Sequence, residues 1–222
     1  MKTTKDIATY FEENFPNFKE TLADCSKEND GSAIVSNSLL AFNFDKISER
    51  LFSEKLASVD CIFFKDKYAD FIEFKGGLVD EINKNYQSPN YDCESCNLLH
   101  KEGYDYFLEK QMHLKKVMHQ NIQLKISESL YLFVNSILPC CNNVESEYHL
   151  RFILVFETGK VDPLDEYELI NEDLSKEPKN KLNSLLRKYA CSDSKGNKIF
   201  FEDIKIYTNQ EFSNLRFYKQ AN

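Results

Sequence analysis

Two apolar, aromatic-rich runs flank a short charged turn within residues 59–75. Two such runs on either side of a charged turn predict a β-hairpin, and we centre its turn on Asp66 and Lys67. Any even loop centred on this point gives the same register, in which Asp60 lies opposite Glu73. Because side chains alternate between the faces of a strand, one face of the hairpin carries six residues. They are Asp60, Ile62, Phe64, Phe71, Glu73 and Lys75.

Asp60 and Glu73 form an electrostatic anomaly in this register. Directly opposed Cβ atoms lie ~4.5–5.5 Å apart in an antiparallel pair. Two carboxylates at that distance repel each other by roughly 3 kcal/mol at an effective dielectric constant near 20. Both faces of the hairpin are otherwise apolar, so we expect it to be buried, where an unpartnered charge is costly. The pattern therefore predicts a cation between the two carboxylates.

A surface hairpin is the alternative interpretation of the same residues. Glu73 and Lys75 would then form a solvated row of charge, and Asp60 would cap the exit of the preceding helix. This arrangement would also expose Ile62 and Phe71, which share that face. The buried hairpin is favoured for that reason.

Apolar spacing outside the hairpin predicts helices and strands on both sides of it. Residues 4–25 have helical spacing that Pro16 interrupts, and a strand is expected within 33–44. Asp45 has the position of an N-cap for a helix that runs to about Lys55. Downstream, the pattern predicts a surface loop at 83–96, helices at 103–138 and 180–189, and strands at 149–156 and 199–207.

The order of these elements predicts a mixed β-sheet. Hairpin strands are antiparallel, whereas a strand reached through a helical crossover lies parallel to its neighbour. Residues 149–156 are almost continuously apolar, which is typical of a central strand buried on both faces. We therefore expect an α/β (α+β mixed) fold with helices on both faces of the sheet. The chain 1–222 is predicted to form one domain, with its core at about 45–156, a helical N-terminal segment and a C-terminal αβ extension.

The charge balance limits the partners of the chain. Its formal net charge is −8, and only four of its 28 cationic Lys and Arg residues are arginine. Such a protein does not hold a polyanion by bulk electrostatics, and bidentate phosphate contacts are scarce. Any nucleic-acid contact would need a local basic groove. No apolar run approaches the ~18 residues of a membrane span and no export signal is evident, so we expect a cytoplasmic protein without a membrane partner.

The seven cysteines do not suggest a disulfide framework. Their number is odd and they are scattered, so reduced thiols are predicted. The alternative is a zinc site, because Cys93 and Cys96 have the spacing of a zinc knuckle. His100, or the pair Cys140 and Cys141, would complete its ligand set. A C-x-x-C pair without a second one at matched spacing is weak evidence, so thiols are favoured over zinc.

Asp60 and the Glu-Phe-Lys triplet Glu73–Lys75, separated by twelve residues on an apolar hairpin, resemble the motif of the PD-(D/E)XK nuclease superfamily. This group includes restriction endonucleases and Holliday-junction resolvases. The resemblance extends over about 45–156, where a helix and a buried strand follow the hairpin. It implies a restriction-endonuclease-like fold, a central mixed β-sheet flanked by helices. One departure from the pattern is Val59, which stands where many members have proline.

The resemblance implies a catalytic or metal-binding role for individual residues. Asp60, Glu73 and the main-chain carbonyl of Phe74 would bind Mg²⁺ (or Mn²⁺), an ion that prefers a few carboxylates plus several waters. The metal would polarise a phosphodiester and lower the pKa of a bound water. Lys75 would orient that water or offset charge in the transition state. The catalytic set is therefore Asp60, Glu73 and Lys75.

Accessory residues would come from the helices around the hairpin. Members of the superfamily often add a glutamate from an early helix, and Glu49 and Glu54 are candidates among others. On the long helix, Gln123 and Lys125 are polar positions among apolar ones, with Ser129 one turn beyond Lys125. These side chains would either face the cleft or form a solvated stripe, and both interpretations stay open.

Two functions are compatible with these residues. The first is Mg²⁺-dependent phosphodiester hydrolysis of nucleic acid, with DNA favoured over RNA, in DNA processing or defence. The alternative is a catalytically inactive, nuclease-like protein with a binding or regulatory role. It is motivated by the acidic balance and scarce arginine, because counterion release needs clustered cations. A homodimer or a protein partner is compatible with either function.

Overall fold

A six-stranded mixed β-sheet forms the centre of the molecule. Its strands are β1 (Lys19–Thr21), β2 (Leu40–Asn43), β3 (Cys61–Lys65), β4 (Tyr68–Lys75), β5 (His149–Phe156) and β6 (Asp203–Thr208). Strands β1 to β4 form an antiparallel meander, whereas β5 is parallel to β4 and β6 is parallel to β5. The computed structural model describes residues 6–53, 56–76, 120–141, 149–157, 179–180, 182–184, 186–190 and 201–218.

Helices precede, connect and follow these strands. They are α1 (Ile7–Asn14), α2 (Leu22–Cys25), α3 (Phe44–Leu51), α4 (residues 120–132) and α5 (Asn209–Asn214). Helix α4 continues through a π-helical turn, Phe133–Ile137, into a 3-10 turn, Leu138–Cys140. Helical residues between 179 and 186 lead into a further 3-10 turn, Arg187–Ala190. Within the part of the chain described, no helix has the length and apolar composition needed to cross a bilayer.

The N-terminal segment is helical only in part, so the prediction of a helical segment over 4–25 is wrong in its middle. Helix α1 ends before Pro16, which opens a 3-10 turn because its ring fixes φ and it has no N–H to donate. The chain then pairs with β2 as the edge strand β1. Thr21 starts α2, since its side chain accepts a hydrogen bond from the Asp24 N–H at 3.0 Å.

The predicted N-cap of the following helix is also wrong by two residues. Asn43 caps α3, because its Oδ1 accepts a hydrogen bond from the Lys46 N–H at 3.0 Å. Asp45 lies in the first turn instead, where its carboxylate accepts a hydrogen bond from the Ser58 hydroxyl. That bond ties α3 to the segment that leads into β3.

The hairpin has the predicted register. Ile62 pairs with Phe71, the turn lies at Asp66 and Lys67, and the same spacing sets Asp60 beside Glu73. Asp66 has a φ of 54°, a left-handed conformation that aspartate tolerates better than most residues. The predicted relationship between the two runs is therefore confirmed, with Asp60 one residue before β3.

Apolar clusters cover both faces of the sheet, as predicted. The first, here called the α4 face, includes Ile62 and Phe71 of the hairpin and Ile126 of α4. The second, the α5 face, includes Ile72 of the hairpin and Phe212 of α5. Strand β5 contributes to both, with Phe152, Leu154 and Phe156 on the α4 face and Ile153 and Val155 on the α5 face. The prediction of a mixed sheet with a strand buried on both faces is confirmed.

Phe71 lies at the centre of the α4 face. Its ring meets those of Phe44, Phe133 and Phe201 at centroid distances of 6.0, 5.1 and 5.4 Å, all in edge-to-face geometry. Such pairs contribute beyond the area they bury. Because Glu73 follows two residues later on the same face, this aromatic cluster fixes the strand that carries it.

A buried ion pair lies on the α5 face of β4. Asp70 is fully buried and accepts two hydrogen bonds from Arg151 on β5, Nε to Oδ1 at 2.6 Å and Nη2 to Oδ2 at 2.7 Å. The Tyr218 hydroxyl donates to Oδ2 as well. The guanidinium also lies over the Tyr68 ring, 3.8 Å from its centroid. The carboxylate therefore joins β4, β5 and the 3-10 turn Arg216–Tyr218.

Candidate active site

Asp60 and Glu73 meet where β3 begins and β4 ends. Asp60 accepts a hydrogen bond from the Phe74 N–H through Oδ2 at 2.6 Å, which fixes its carboxylate across the hairpin. Glu73 is fully buried, whereas the Asp60 side chain keeps 17% of its surface exposed. The two carboxylates are therefore held side by side, one in the interior and one at its edge.

The Lys125 ammonium lies between these two carboxylates. Its Nζ is 3.1 Å from Asp60 Oδ1 and 2.9 Å from Glu73 Oε2, within hydrogen-bond distance of both. The sequence led us to expect a cation, namely a metal ion, between the two carboxylates. In the structure, the ammonium of Lys125 from α4 lies there. One oxygen from each carboxylate thus converges on a single cationic group.

Lys75 approaches the same site from the end of β4. Its Nζ is 2.9 Å from Glu73 Oε1, and 29% of its side chain is exposed. The contact is an ion pair by distance only, because Oε1 accepts no hydrogen bond from any residue that the structure describes. Among the described residues, Lys75 therefore has one charged partner in the site, whereas Lys125, whose side chain is 20% exposed, has two.

Helix α4 also holds the chain segment that delivers Asp60. The fully buried Ser129 accepts a hydrogen bond from the Val59 N–H through Oγ at 2.8 Å. The Glu128 carboxylate accepts another from the Ala57 N–H. Because Ser129 lies four residues beyond Lys125, both side chains project from the same face of the helix. Helix α4 thus sets the position of Asp60 and of its cationic partner together.

The two neighbouring carboxylates of Asp60 and Glu73 favour the binding of a proton or a cation. Burial and the neighbouring Glu73 carboxylate raise the pKa of Asp60 to about 7, although the Lys125 ammonium and the Phe74 N–H act in the opposite direction. Burial alone would lower the pKa of Lys125, but the potential of Asp60 and Glu73 outweighs it and raises that pKa above its ordinary value. Lys125 is therefore cationic throughout the physiological range.

Stability without divalent metal is expected to fall as the pH rises from about 4 to 8. The folded-state pKa of Asp60, about 7, exceeds its ordinary value of 3.8, so the folded protein binds more protons than the unfolded chain between these values. This contribution is fully present below pH 3.8 and is lost as the pH rises through 7. At 1.36 kcal/mol per pH unit it amounts to up to about 4 kcal/mol. Urea unfolding at several pH values measures the slope.

Asp60→Asn is the variant that isolates this contribution. It removes the titrating group and should flatten the free energy of unfolding between about pH 4 and 7, relative to the wild-type protein. Asp203→Asn is the matched control, because Asp203 is a half-exposed carboxylate paired with Lys205 at the surface. Equal slopes in Asp60→Asn and the wild type would contradict the assignment.

Asp60 and Phe74 also line a solvent-open cleft. Its other lining residues come from the segment around and after α2, namely Cys25, Ser26, Lys27, Glu28, Asn29 and Ile34. The Glu28 carboxylate lies against Gly76, since a Cβ added at Gly76 would come within 1.8 Å of Glu28 Oε1. A glycine after β4 therefore leaves the space that the Glu28 carboxylate occupies beside the cleft.

Glu28 is an exposed acidic residue beside the cleft that was not among the candidates from the sequence. The candidates proposed for an accessory glutamate were Glu49, which is exposed on α3 and does not line the cleft, and Glu54, which lies outside the described residues. Gly76, directly after the triplet, was the one sequence feature that hinted at this contact. A glycine at such a position often marks a place where another group lies close to the main chain.

The remaining predicted residues separate into two groups. Gln123 is half-buried on α4, and two residues before Lys125 it lies on a different side of the helix. Cys93 and Cys96 lie outside the described residues, so the structure does not bear on the zinc alternative. Cys140, one of the further ligands considered for that site, is exposed and carries a free thiol.

The donor set suits a hard divalent cation better than a zinc-type cluster. Among the described residues, no three His, Cys, Asp or Glu side chains converge on one point. Two carboxylates with main-chain and water oxygens are the environment that Mg²⁺ prefers, since it keeps several of its waters. The residues present therefore fit Mg²⁺ bound by Asp60 and Glu73. Comparisons with protein-family models, with curated proteins and with solved structures found no match to this chain.

Proposed function

We propose that this protein hydrolyses phosphodiester bonds in nucleic acid with Mg²⁺ or Mn²⁺ bound by Asp60 and Glu73. One observation carries the proposal, the convergence of one oxygen from each carboxylate on a single cationic group at 3.1 and 2.9 Å. Buried carboxylates in such an arrangement are costly unless a cation accompanies them.

The roles of the residues follow from their positions. Asp60 and Glu73 would hold the metal, and the Phe74 main-chain carbonyl is the third ligand that the resemblance implies. When bound, the metal would polarise the phosphodiester and lower the pKa of a bound water. Lys75, partly exposed beside Glu73, is placed to donate hydrogen bonds to that water or to the developing negative charge. The Phe74 N–H fixes the orientation of Asp60 throughout.

The order of elements supports a restriction-endonuclease-like fold. The meander of β2, β3 and β4 is followed in the chain by α4 and then by β5, which lies parallel to β4. The proposed ligands stand at the start of β3 and near the end of β4, as the superfamily resemblance implies. The described cysteines Cys25, Cys61, Cys140 and Cys141 are free, which agrees with the proposal that the protein acts in a reducing, cytoplasmic setting.

A catalytically inactive, nuclease-like binding protein is the second candidate. The observation that favours it is Lys125, whose ammonium pairs with one oxygen of each carboxylate without a metal. On this hypothesis the ion pairs are structural, and the site has lost its metal while the fold has kept its shape. Metal binding separates the two candidates.

Titration of the protein with Mg²⁺ in a calorimeter tests the proposal. We expect one ion to bind with millimolar affinity or better, and Asp60→Asn to weaken that binding at least tenfold because one of two carboxylate ligands is lost. Asp203→Asn, which removes a surface carboxylate, should bind Mg²⁺ as the wild-type protein does. Absence of Mg²⁺ and Mn²⁺ binding by the folded wild-type protein would support the inactive alternative.

A further inference from the structure

We infer that Lys125 is a tethered counter-ion, which occupies the position between Asp60 and Glu73 until a divalent ion displaces it. The inference rests on the proposed function, since it concerns how the metal enters the same site. It assigns to Lys125 the role of a competitor that sets the metal affinity. Lys75, by contrast, keeps its role beside the attacking water.

The position of Lys125 is built into the fold. Helix α4 is anchored by Ile122 and Ile126, which are both buried on the α4 face. Ser129 anchors it to the main chain of Val59, one residue before Asp60. A lysine at the surface would spread over several rotamers, but this one leaves an immobilised helix and meets two fixed carboxylates. The ammonium is therefore held at the site, which gives it a high local concentration relative to any ion in solution.

The charges of the site explain why the ammonium must move. The negative charges of Asp60 and Glu73 are balanced by the ammonium groups of Lys75 and Lys125. The net charge of these four side chains is therefore zero when all are ionised. Asp45 adds only a weaker negative potential. A divalent ion entering this set would create a net charge of about +2 next to two lysines, which like-charge repulsion opposes.

Lys125 is the group whose removal best relieves this repulsion. It contacts one oxygen of each carboxylate, and these two oxygens are the ones that converge on one point. Among the described residues, Lys75 contacts Glu73 alone; it is also more exposed and can turn toward solvent without leaving β4. Glu73 Oε1 accepts no hydrogen bond from the described residues, so a buried acceptor remains for an incoming ion or its water. Displacement of one ammonium thus opens a ligand set that is already aligned.

The test compares metal affinities without nucleic acid. Calorimetric titration with Mg²⁺ and with Mn²⁺ is carried out on the wild-type protein, Lys125→Met, Lys125→Gln and Lys125→Arg. Both neutral variants are expected to bind each ion at least about tenfold more tightly, because the competing charge is gone. Lys125→Arg, which keeps the charge, should stay within about threefold of the wild type. Lys205→Met is the matched control, since it removes a lysine from a half-exposed ion pair and should change nothing.

Melting temperatures recorded with and without millimolar Mg²⁺ show whether each variant is folded. They also give a second measure of metal binding, namely the stabilisation that the ion provides. The neutral variants should be less stable than the wild type without metal, and should gain more stability from Mg²⁺, because Asp60 and Glu73 then lose the cation that they share. Lys125→Gln keeps hydrogen-bond donors in the site and serves if Lys125→Met does not fold.

Two results would overturn the inference in different ways. Equal or weaker affinity in the folded neutral variants, with clear binding to the wild type, refutes the role of Lys125 but leaves the metal site standing. Absence of binding in the wild type and in every folded variant refutes the metal site itself, and with it both proposals.

Discussion

Replacement of Glu73 by glutamine is expected to lower Mg²⁺-dependent cleavage of DNA by at least about 10²–10³-fold, the loss typical of one group that stabilises transition-state charge. Glu73 is fully buried and supplies one of the two carboxylates in the site, so the neutral amide removes the charge of a proposed metal ligand while preserving the volume of the side chain. A gel assay on single- and double-stranded DNA and on RNA, with Mg²⁺ or with a chelator, measures the rate.

Lys75→Ala should reduce cleavage by a similar factor for a different reason. Lys75 is not among the proposed metal ligands, so Mg²⁺ binding should be retained while the rate falls. Lys67→Ala is the matched control, because Lys67 is an exposed lysine in the turn at the other end of the same hairpin. Glu202→Gln serves the same purpose for Glu73, since Glu202 is an exposed glutamate beside His149.

The outcome of these two variants decides the catalytic assignment. Cleavage that persists unchanged in folded Glu73→Gln and in Lys75→Ala would show that any nuclease activity of the preparation comes from elsewhere. Cleavage lost in both, with metal binding lost only in Glu73→Gln, is the pattern expected of a metal ligand and a neighbouring lysine that orients the water or offsets charge in the transition state. Circular dichroism on each variant distinguishes loss of chemistry from loss of fold.

Asp70→Asn is expected to destabilise the folded protein by about 3–5 kcal/mol, the cost of removing one partner from a buried ion pair. Asp70 is fully buried, and its two oxygens accept from Arg151 and Tyr218. The variant leaves the guanidinium largely inside the protein, where 17% of its side chain is exposed, without the charge that balances it. Chemical unfolding followed by fluorescence or circular dichroism gives the free energy.

A double-mutant cycle separates the pair from the burial of its members. Asp70→Asn combined with Arg151→Met should cost less than the sum of the two single changes, because neither charge is then left alone. Asp203→Asn breaks a half-exposed pair with Lys205 and should cost no more than about 1 kcal/mol. If Asp70→Asn were no more destabilising than Asp203→Asn, the buried pair would have no structural role.

The sequence was most informative where structure is local. The hairpin register followed from a turn centred on Asp66 and Lys67 between two apolar runs, because two short runs with a fixed turn allow few pairings. Strand β5 was predicted as buried on both faces because its residues are apolar almost without interruption. The middle of the N-terminal segment was missed, since β1 has only three residues and owes its strand conformation to pairing with β2.

The partners of the charged residues depend on long-range contacts that one sequence does not reveal. Lys125 was one of two polar positions considered on the long helix, and only the packing of α4 against the sheet shows which of them meets the carboxylates. The position of the Glu28 carboxylate depends on the space beside Gly76, which a side chain at residue 76 would fill. Asp70 gave no sequence signal of its own, because its place among apolar residues becomes meaningful only when Arg151 lies beside it.

Strand β4 buries one carboxylate on each face, and this has a consequence for folding. Asp70 finds Arg151 81 residues away, and Glu73 finds Lys125 52 residues away on the opposite side. If β4 slipped by one residue against β5, every side chain would turn to the other face, so both carboxylates would enter apolar clusters without their partners. Distant parallel pairings form slowly and are therefore exposed to such errors. The two acids thus favour the native register of the sheet, because a slip by an odd number of residues would bury an unpaired carboxylate on each face.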